Sequence, residues 1–282
     1  MATPAAADVK VVTTIRPLAL IAREILGEHG EVTALVDNGQ SPHHYSMTPS
    51  DRIALARADV LVRVDATFEL YLNDIYDNLG EQREQITISE LDGVVLHHDS
   101  TGELDPHLWL DTINATIFAE KLADTAARLD PENGTFFLQN RDRFNVDITT
   151  LNEQIGTALA QANSPNYVVF HDAFRYFEAR YGLQHGFSLV INPDVEPSVQ
   201  QILQARNIIK TSAPDCLLME ADANLAIINT MLGESGLRRV TVDLLGTGVK
   251  TDSKGYFQIL SDLAQRFRHA ENRFRNVHNR QH

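Results

Sequence analysis

The side chains of this chain that could do chemistry are concentrated in four short stretches. "SPHHYSMTPSD" (41–51) places His43 and His44 together behind Pro42, and "DPHLWLD" (105–111) places His107 behind Pro106. "YVVFHD" (167–172) ends in His171 and Asp172, and "RRVTVDLL" (238–245) carries Asp243. Imidazole nitrogens and a carboxylate oxygen are the donors a borderline divalent ion takes. Three neutral imidazoles and one carboxylate, from His43, His107, His171 and Asp243, would fill the tetrahedral shell that Zn2+ accepts at about 2.0–2.2 Å. A shell closed in this way leaves no position for a water nucleophile, so it suits holding a metal better than hydrolysis. The prolines stiffen the backbone before His43 and His107, which lowers the entropy lost on fixing a ligand.

The elements that must position these residues read as short β-branched runs alternating with helical patterns, the signature of parallel sheets covered by helices. Strands are predicted at "KVVTTI", "EVTALV", "DVLVRV" and "QITIS", with helices from Pro17 to about Leu26, over "TPSDRIALARA", and over 68–79. From Thr112 to about Ala162 the pattern is helical throughout, broken only at Asp130–Gly134. Its second half, at 1.5 Å per residue, spans about 40 Å and reads as a strut. The alternation then restarts with "YVVFHD", "FSLVI", "CLLMEA" and "RRVTVDLL" as strands, and a closing helix begins near Tyr256. The fold class expected is α/β, with two lobes of parallel sheet and flanking helices joined by one long rigid backbone helix. The divisions are an N-terminal lobe over 8–130, the linking helix over 131–163 and a C-terminal lobe over 164–282. In such sheets ligands bind beyond the carboxyl ends of the strands, and each of the four candidate residues falls at a strand end or a helix start.

Bulk properties narrow the partners. The chain of 282 residues is long enough for two cores, and 24 basic against 38 acidic residues give a net charge of −14. That balance argues against nucleic acid or an anionic membrane surface as the main partner. The single cysteine, Cys216, excludes an intrachain disulfide and a cysteine zinc knuckle, and its apolar neighbours predict a buried thiol. No apolar stretch reaches the ~20 residues needed to cross a bilayer. Ala5–Ala7 resemble the small-residue end of a secretory signal, so a periplasmic chain whose signal peptide has been removed is expected.

Other motifs are weaker. "GTGVKT" lacks the third glycine of a dinucleotide fingerprint, "GESG" lacks nucleophile-elbow spacing, and no H-E-x-x-H occurs. Asn114 begins a glycosylation pattern inside a predicted helix. Phe170, Phe174, Tyr176, Phe177 and Tyr181 recur at helical spacing and are expected in the core, with Trp109 a packed wall beside His107. His269, His278 and His282 of the basic tail are expected to be solvated.

In order along the chain, "PHHYSMTPSD", "DPHLWLD" and "HDAFRYFEARYGL" resemble motifs of the ABC-transporter solute-binding proteins that capture zinc or manganese, the ZnuA-like group. The resemblance covers nearly the whole chain. It implies a metal in a cleft between two α/β lobes, delivered to a cognate permease in the inner membrane, with the protein a monomer and not an enzyme. It also implies the ligand set: His43 at the P-H-x-Y position with His44 variable and solvent-facing, His107, His171, and Asp243 in the loosest match. Manganese-preferring relatives carry glutamate where this chain has His171, so three nitrogens and one carboxylate favour zinc. Asp105 and Asp172 are candidates to accept the second N–H of a ligating imidazole. Zinc members often carry a long His-rich loop; here only "HHDSTGELDPH" stands in its place, with His97 and His98 as zinc collectors. The rival readings are a manganese or iron carrier of the same fold, and a zinc hydrolase with one position left to water and Glu220 as base.

Overall fold

The computed structural model describes residues 8–37, 40–78, 83–99, 101–161, 166–190, 192–193, 195–250 and 254–271. The N-terminal residues 1–7 and the tail histidines 278 and 282 lie outside these, as do the side chains of His44 and His269. The chain divides into two compact units, one of Met1–Asn152 with Leu245–Gln258, the other of Glu153–Leu244 with Ile259–His282.

The first unit is built on β1 (Val9–Ile15), β2 (Gly30–Val36), β3 (Val60–Arg63) and β4 (Glu84–Thr87), all parallel in the order β2-β1-β3-β4. Strands buried on both faces must be apolar almost continuously, which is why "VKVVTTI" and "VLVR" show no clean alternation. α1 (Arg16–Leu26) has Pro17 in its first turn and ends at Gly27, whose φ is 53°. A Cβ there would also lie 2.8 Å from Phe136, so glycine is needed for the turn and for the contact. α2 (Pro49–Arg57) starts with a reciprocal capping box between Thr48 and Asp51.

The helix predicted over 68–79 is shorter: a 3-10 turn at Leu70–Leu72 followed by α3 (Asn73–Asn78). Side chains hold the preceding residues in a turn instead. Asp65 Oδ1 accepts the Thr67 N–H at 2.7 Å, and the buried Glu69 carboxylate accepts the N–H of Val64 and of Asp65. α4 (Thr112–Leu129) is capped by Asp111, which accepts the Ile113 N–H at 2.7 Å. Asn114 is buried in it, donating to Val95 O and Leu108 O, so the glycosylation pattern there is accidental.

α5 (Gly134–Ala160) has 27 residues and crosses from the first unit into the second along the chain. Beyond it come β5 (Tyr167–His171), α6 (Arg175–Tyr181), β6 (Ser188–Val190), α7 (Val199–Ser212), β7 (Cys216–Glu220), α8 (Leu225–Leu232), β8 (Arg239–Val242) and α9 (Gly255–Glu271). The second sheet is again parallel, ordered β6-β5-β7-β8. Its core includes the expected aromatics: Phe267 packs within 5.3 Å of Tyr167 and Phe177 and 5.9 Å of Phe174. Cys216 is fully buried, and burial pushes its thiol up to about 11.

Both sheets start on an inner strand, step to one edge, and then return past it. The strand order therefore reverses between β1 and β3 and between β5 and β7, where open α/β sheets form their crevices.

Candidate metal centre

In the first unit the residues between β2 and α2 carry His43. Pro42 opens a 3-10 turn, Pro42–His44, and Ser41 Oγ caps it by accepting the His43 N–H at 3.3 Å. Two residues on, Tyr45 donates its hydroxyl to Asp51 at 2.6 Å and ties the turn to the first turn of α2. Burial, with the Asp51 carboxylate, pushes the Tyr45 pKa up, so the phenol keeps this proton. The half-buried His43 ring stands edge-on to Phe68 at 5.2 Å.

His107 precedes the 3-10 turn Leu108–Leu110, and only 4% of it is exposed. Asp105 Oδ1 lies 2.7 Å from its Nδ1 and accepts its backbone N–H at 3.0 Å. A carboxylate there fixes the ring proton on Nδ1 and leaves Nε2 as the lone-pair donor, as in carboxylate–histidine–metal triads. Trp109 is buried with its ring 5.2 Å from the imidazole, the packed wall expected from the sequence. The rings of His43 and His107 are 5.9 Å apart, and they offer nitrogens within 4.8 Å of each other. A tetrahedral ion with bonds near 2.1 Å sets neighbouring nitrogens about 3.4 Å apart, so these rings are within about 1.4 Å of a ligating separation.

In the second unit His171 is the last residue of β5 and is 6% exposed. Parallel register aligns β5 with β7 and β7 with β8, pairing Val169 with Leu218 and Glu220 with Val242. The ends of the three strands thus carry His171, Glu220 and, one residue beyond β8, the half-buried Asp243 along one sheet edge. Glu220 Oε1 lies 3.0 Å from His171 Nδ1, a close carboxylate contact without the hydrogen-bond geometry that Asp105 gives His107. Asp172, the candidate chosen for its place beside His171, is paired with Arg175 and lies 3.9 Å from His185 Nε2. Asp172 sits in the tight turn after β5, where the Ala173 N–H bonds back to His171 O, and the carboxylate nearest the His171 ring comes from the adjacent strand.

Behind this edge lies a buried polar group. Glu178 accepts from the Tyr167 hydroxyl and pairs with His185 Nδ1 at 2.9 Å. Burial alone would lower the His185 pKa, but the Glu178 hydrogen bond and the charges of Glu178 and Asp172 raise it. In the first unit His98 is exposed and His97 half-buried; His98 bridges to Leu104, and His97 O accepts the Asp105 N–H at 2.9 Å. Their loop is folded on itself, Asp99 Oδ1 accepting the N–H of Thr101 and of Glu103.

Parallel α/β units with buttressed imidazoles at their carboxyl edges define a class of metal-binding proteins. The family is set by comparison. The family model described as "Zinc-uptake complex component A periplasmic" (ZnuA) matches residues 11–270, and the chain belongs to that family. It is 29% identical over 289 residues to the high-affinity zinc uptake system protein ZnuA of Yersinia pestis, covering 93% of this chain and 91% of that protein. It is 26% identical over 301 residues to the ZnuA of Paracoccus denitrificans, covering 94% and 92%. A crystal structure of ZnuA superposes with a TM-score of 0.80 at 22% identity, over 94% of this chain and 100% of that one. The periplasmic zinc-binding protein TroA from Treponema pallidum gives 0.83 at 19%, again over 94% and 100%, so the fold is shared.

Proposed function

We propose that the chain is the zinc-capturing component of a high-affinity uptake system of the ABC-transporter class, located in the periplasm. The observation that carries this reading is the family match along residues 11–270. The chemistry of the candidate donors agrees with it. Three imidazoles and one carboxylate, from His43, His107, His171 and Asp243, form a nitrogen-rich set that suits zinc over manganese. Asp105 hydrogen-bonds Nδ1 of His107 and Glu220 stands 3.0 Å from Nδ1 of His171, which leaves Nε2 of each ring for an ion. Zinc is cargo here, bound through neutral imidazole nitrogens, with no turnover of esters or peptides. Delivery is to a cognate inner-membrane permease, the carrier acting as an exported monomer, and His97 and His98 collect zinc ahead of the main site.

Incubation with equimolar zinc and manganese, followed by desalting and metal analysis, tests the reading. One zinc per chain with manganese left behind is expected. Manganese retained in preference would replace zinc with the other cargo, and hydrolysis lost on His171→Ala would make the protein an enzyme.

A further inference from the structure

Arg16, the first residue of α1, is 7% exposed, and its guanidinium is bonded on all three nitrogens. Nε–H donates to Gly246 O at 2.7 Å, Nη2–H to Val249 O at 2.6 Å, and Nη1–H to Asp37 Oδ1 at 2.8 Å. The placement of these acceptors matters more than their number. Asp37 directly follows β2 and begins the stretch that leads to His43. Gly246, with φ at 69°, follows Asp243 by three residues. One buried fork therefore grips the chain six positions before one proposed ligand and three positions after another, the two ligands being 200 positions apart in the sequence.

We propose that Arg16 is a positioning residue for zinc binding: by holding Gly246 and Val249 it fixes the carboxylate of Asp243, and through Asp37 it sets the start of the His43 loop. The inference rests on the assignment of Asp243 and His43 as ligands. Arginine suits the task because its donors lie in one rigid plane and can serve acceptors from separate segments together. Lysine offers a single point of attachment on a flexible stem. The acceptors at 246 and 249 are backbone carbonyls, so the grip acts on the path of the chain whatever side chains it carries. Farther along the same segment, Tyr256 donates to Trp109 O at 2.6 Å, and Gly255 leaves no room for a Cβ beside Leu20. The segment is thus anchored at its far end independently of Arg16.

Zinc dissociation constants from chelator competition and the visible spectrum of the cobalt-loaded protein should be compared for wild type, Arg16→Gln, Asp243→Ala and the double variant. Arg16→Gln should weaken zinc by about 10–100-fold, the range typical of residues that orient metal ligands. It should also shift the cobalt bands in the same direction as Asp243→Ala, and the loss in the double variant should be smaller than the sum of the two single losses. Wild-type affinity in Arg16→Gln beside a weakened Asp243→Ala overturns the inference and leaves the ligand assignment standing, and fully additive losses overturn it as well. Wild-type affinity in Asp243→Ala removes the ligand assignment, and the inference with it. Arg16→Lys, which keeps stem and charge, serves if Arg16→Gln fails to fold: the same spectral shift supports the inference, and an unshifted spectrum overturns it.

Discussion

Replacing Asp105 with Asn changes one charge and almost no volume, which makes it a clean probe of how His107 is held. The carboxylate is 3% exposed and serves His107 twice, at Nδ1 (2.7 Å) and at the backbone N–H (3.0 Å), through the same oxygen. Hydrogen bonds to a charged partner are worth about 1.5–3 kcal/mol, against about 0.5–1.5 for neutral ones. At a site this buried, solvent does little to screen the difference. The amide oxygen of Asn can keep the contact to Nδ1–H but not its charge, so about 1.5 kcal/mol of orientation is lost. At 1.36 kcal/mol per decade that is about a tenfold rise in the zinc dissociation constant. Competition against a chromophoric zinc chelator at neutral pH measures it, with the melting of the metal-free variant as a control on folding. Unchanged affinity in a folded Asp105→Asn protein would refute the claim that this carboxylate prepares His107 for the metal.

Glu220→Gln should weaken zinc by a similar factor, because its carboxylate stands 3.0 Å from His171 Nδ1; tighter binding would mean the charge opposes the site. His43→Ala should remove most of the zinc affinity and His44→Ala little, compared by the same competition; equal losses would contradict the assignment of His43. For Glu69, burial raises the pKa from its ordinary 4.5 to about 7, against the hydrogen bonds from Val64 and Asp65. The folded chain thus holds a proton there that the unfolded chain gives up. Its contribution to stability is complete below pH 4.5 and is lost as pH rises towards 7. Urea titrations of metal-free protein should show Glu69→Gln gaining on wild type as pH rises from about 4.5 to about 8; a constant gap would show the carboxyl to be ionised throughout.

Much of the fold could be read from local pattern because parallel strands and their covering helices differ in period and in β-branched content. The two four-stranded sheets and the long helix α5 follow from runs such as "YVVFH" and the strand-free stretch after Thr112. Where side chains compete with the backbone, that reading failed. The turn at 65–69 is made by Asp65 and Glu69 bonding to main-chain N–H groups, which apolar periodicity does not register. Among the proposed ligands, His43, His107 and His171 stand out because each lies at an element boundary in a distinctive stretch. Glu220 was visible only as a possible base, since its contact with His171 depends on β7 lying beside β5, 49 positions away, and strand order is a property of the assembled sheet. Asp172 looked the better candidate for the opposite reason: it is next in sequence, but it lies in the turn after β5 and pairs with Arg175. Arg16 was hidden by distance too, its acceptor Gly246 being 230 positions on.

The central claim is that four named side chains hold one zinc ion. The chain with His43, His107, His171 and Asp243 all replaced by Ala should be purified beside wild type without added metal, and the zinc in each measured. One zinc per wild-type chain and none in the folded variant is the predicted result. Zinc retained at the wild-type level after loss of all four would contradict it.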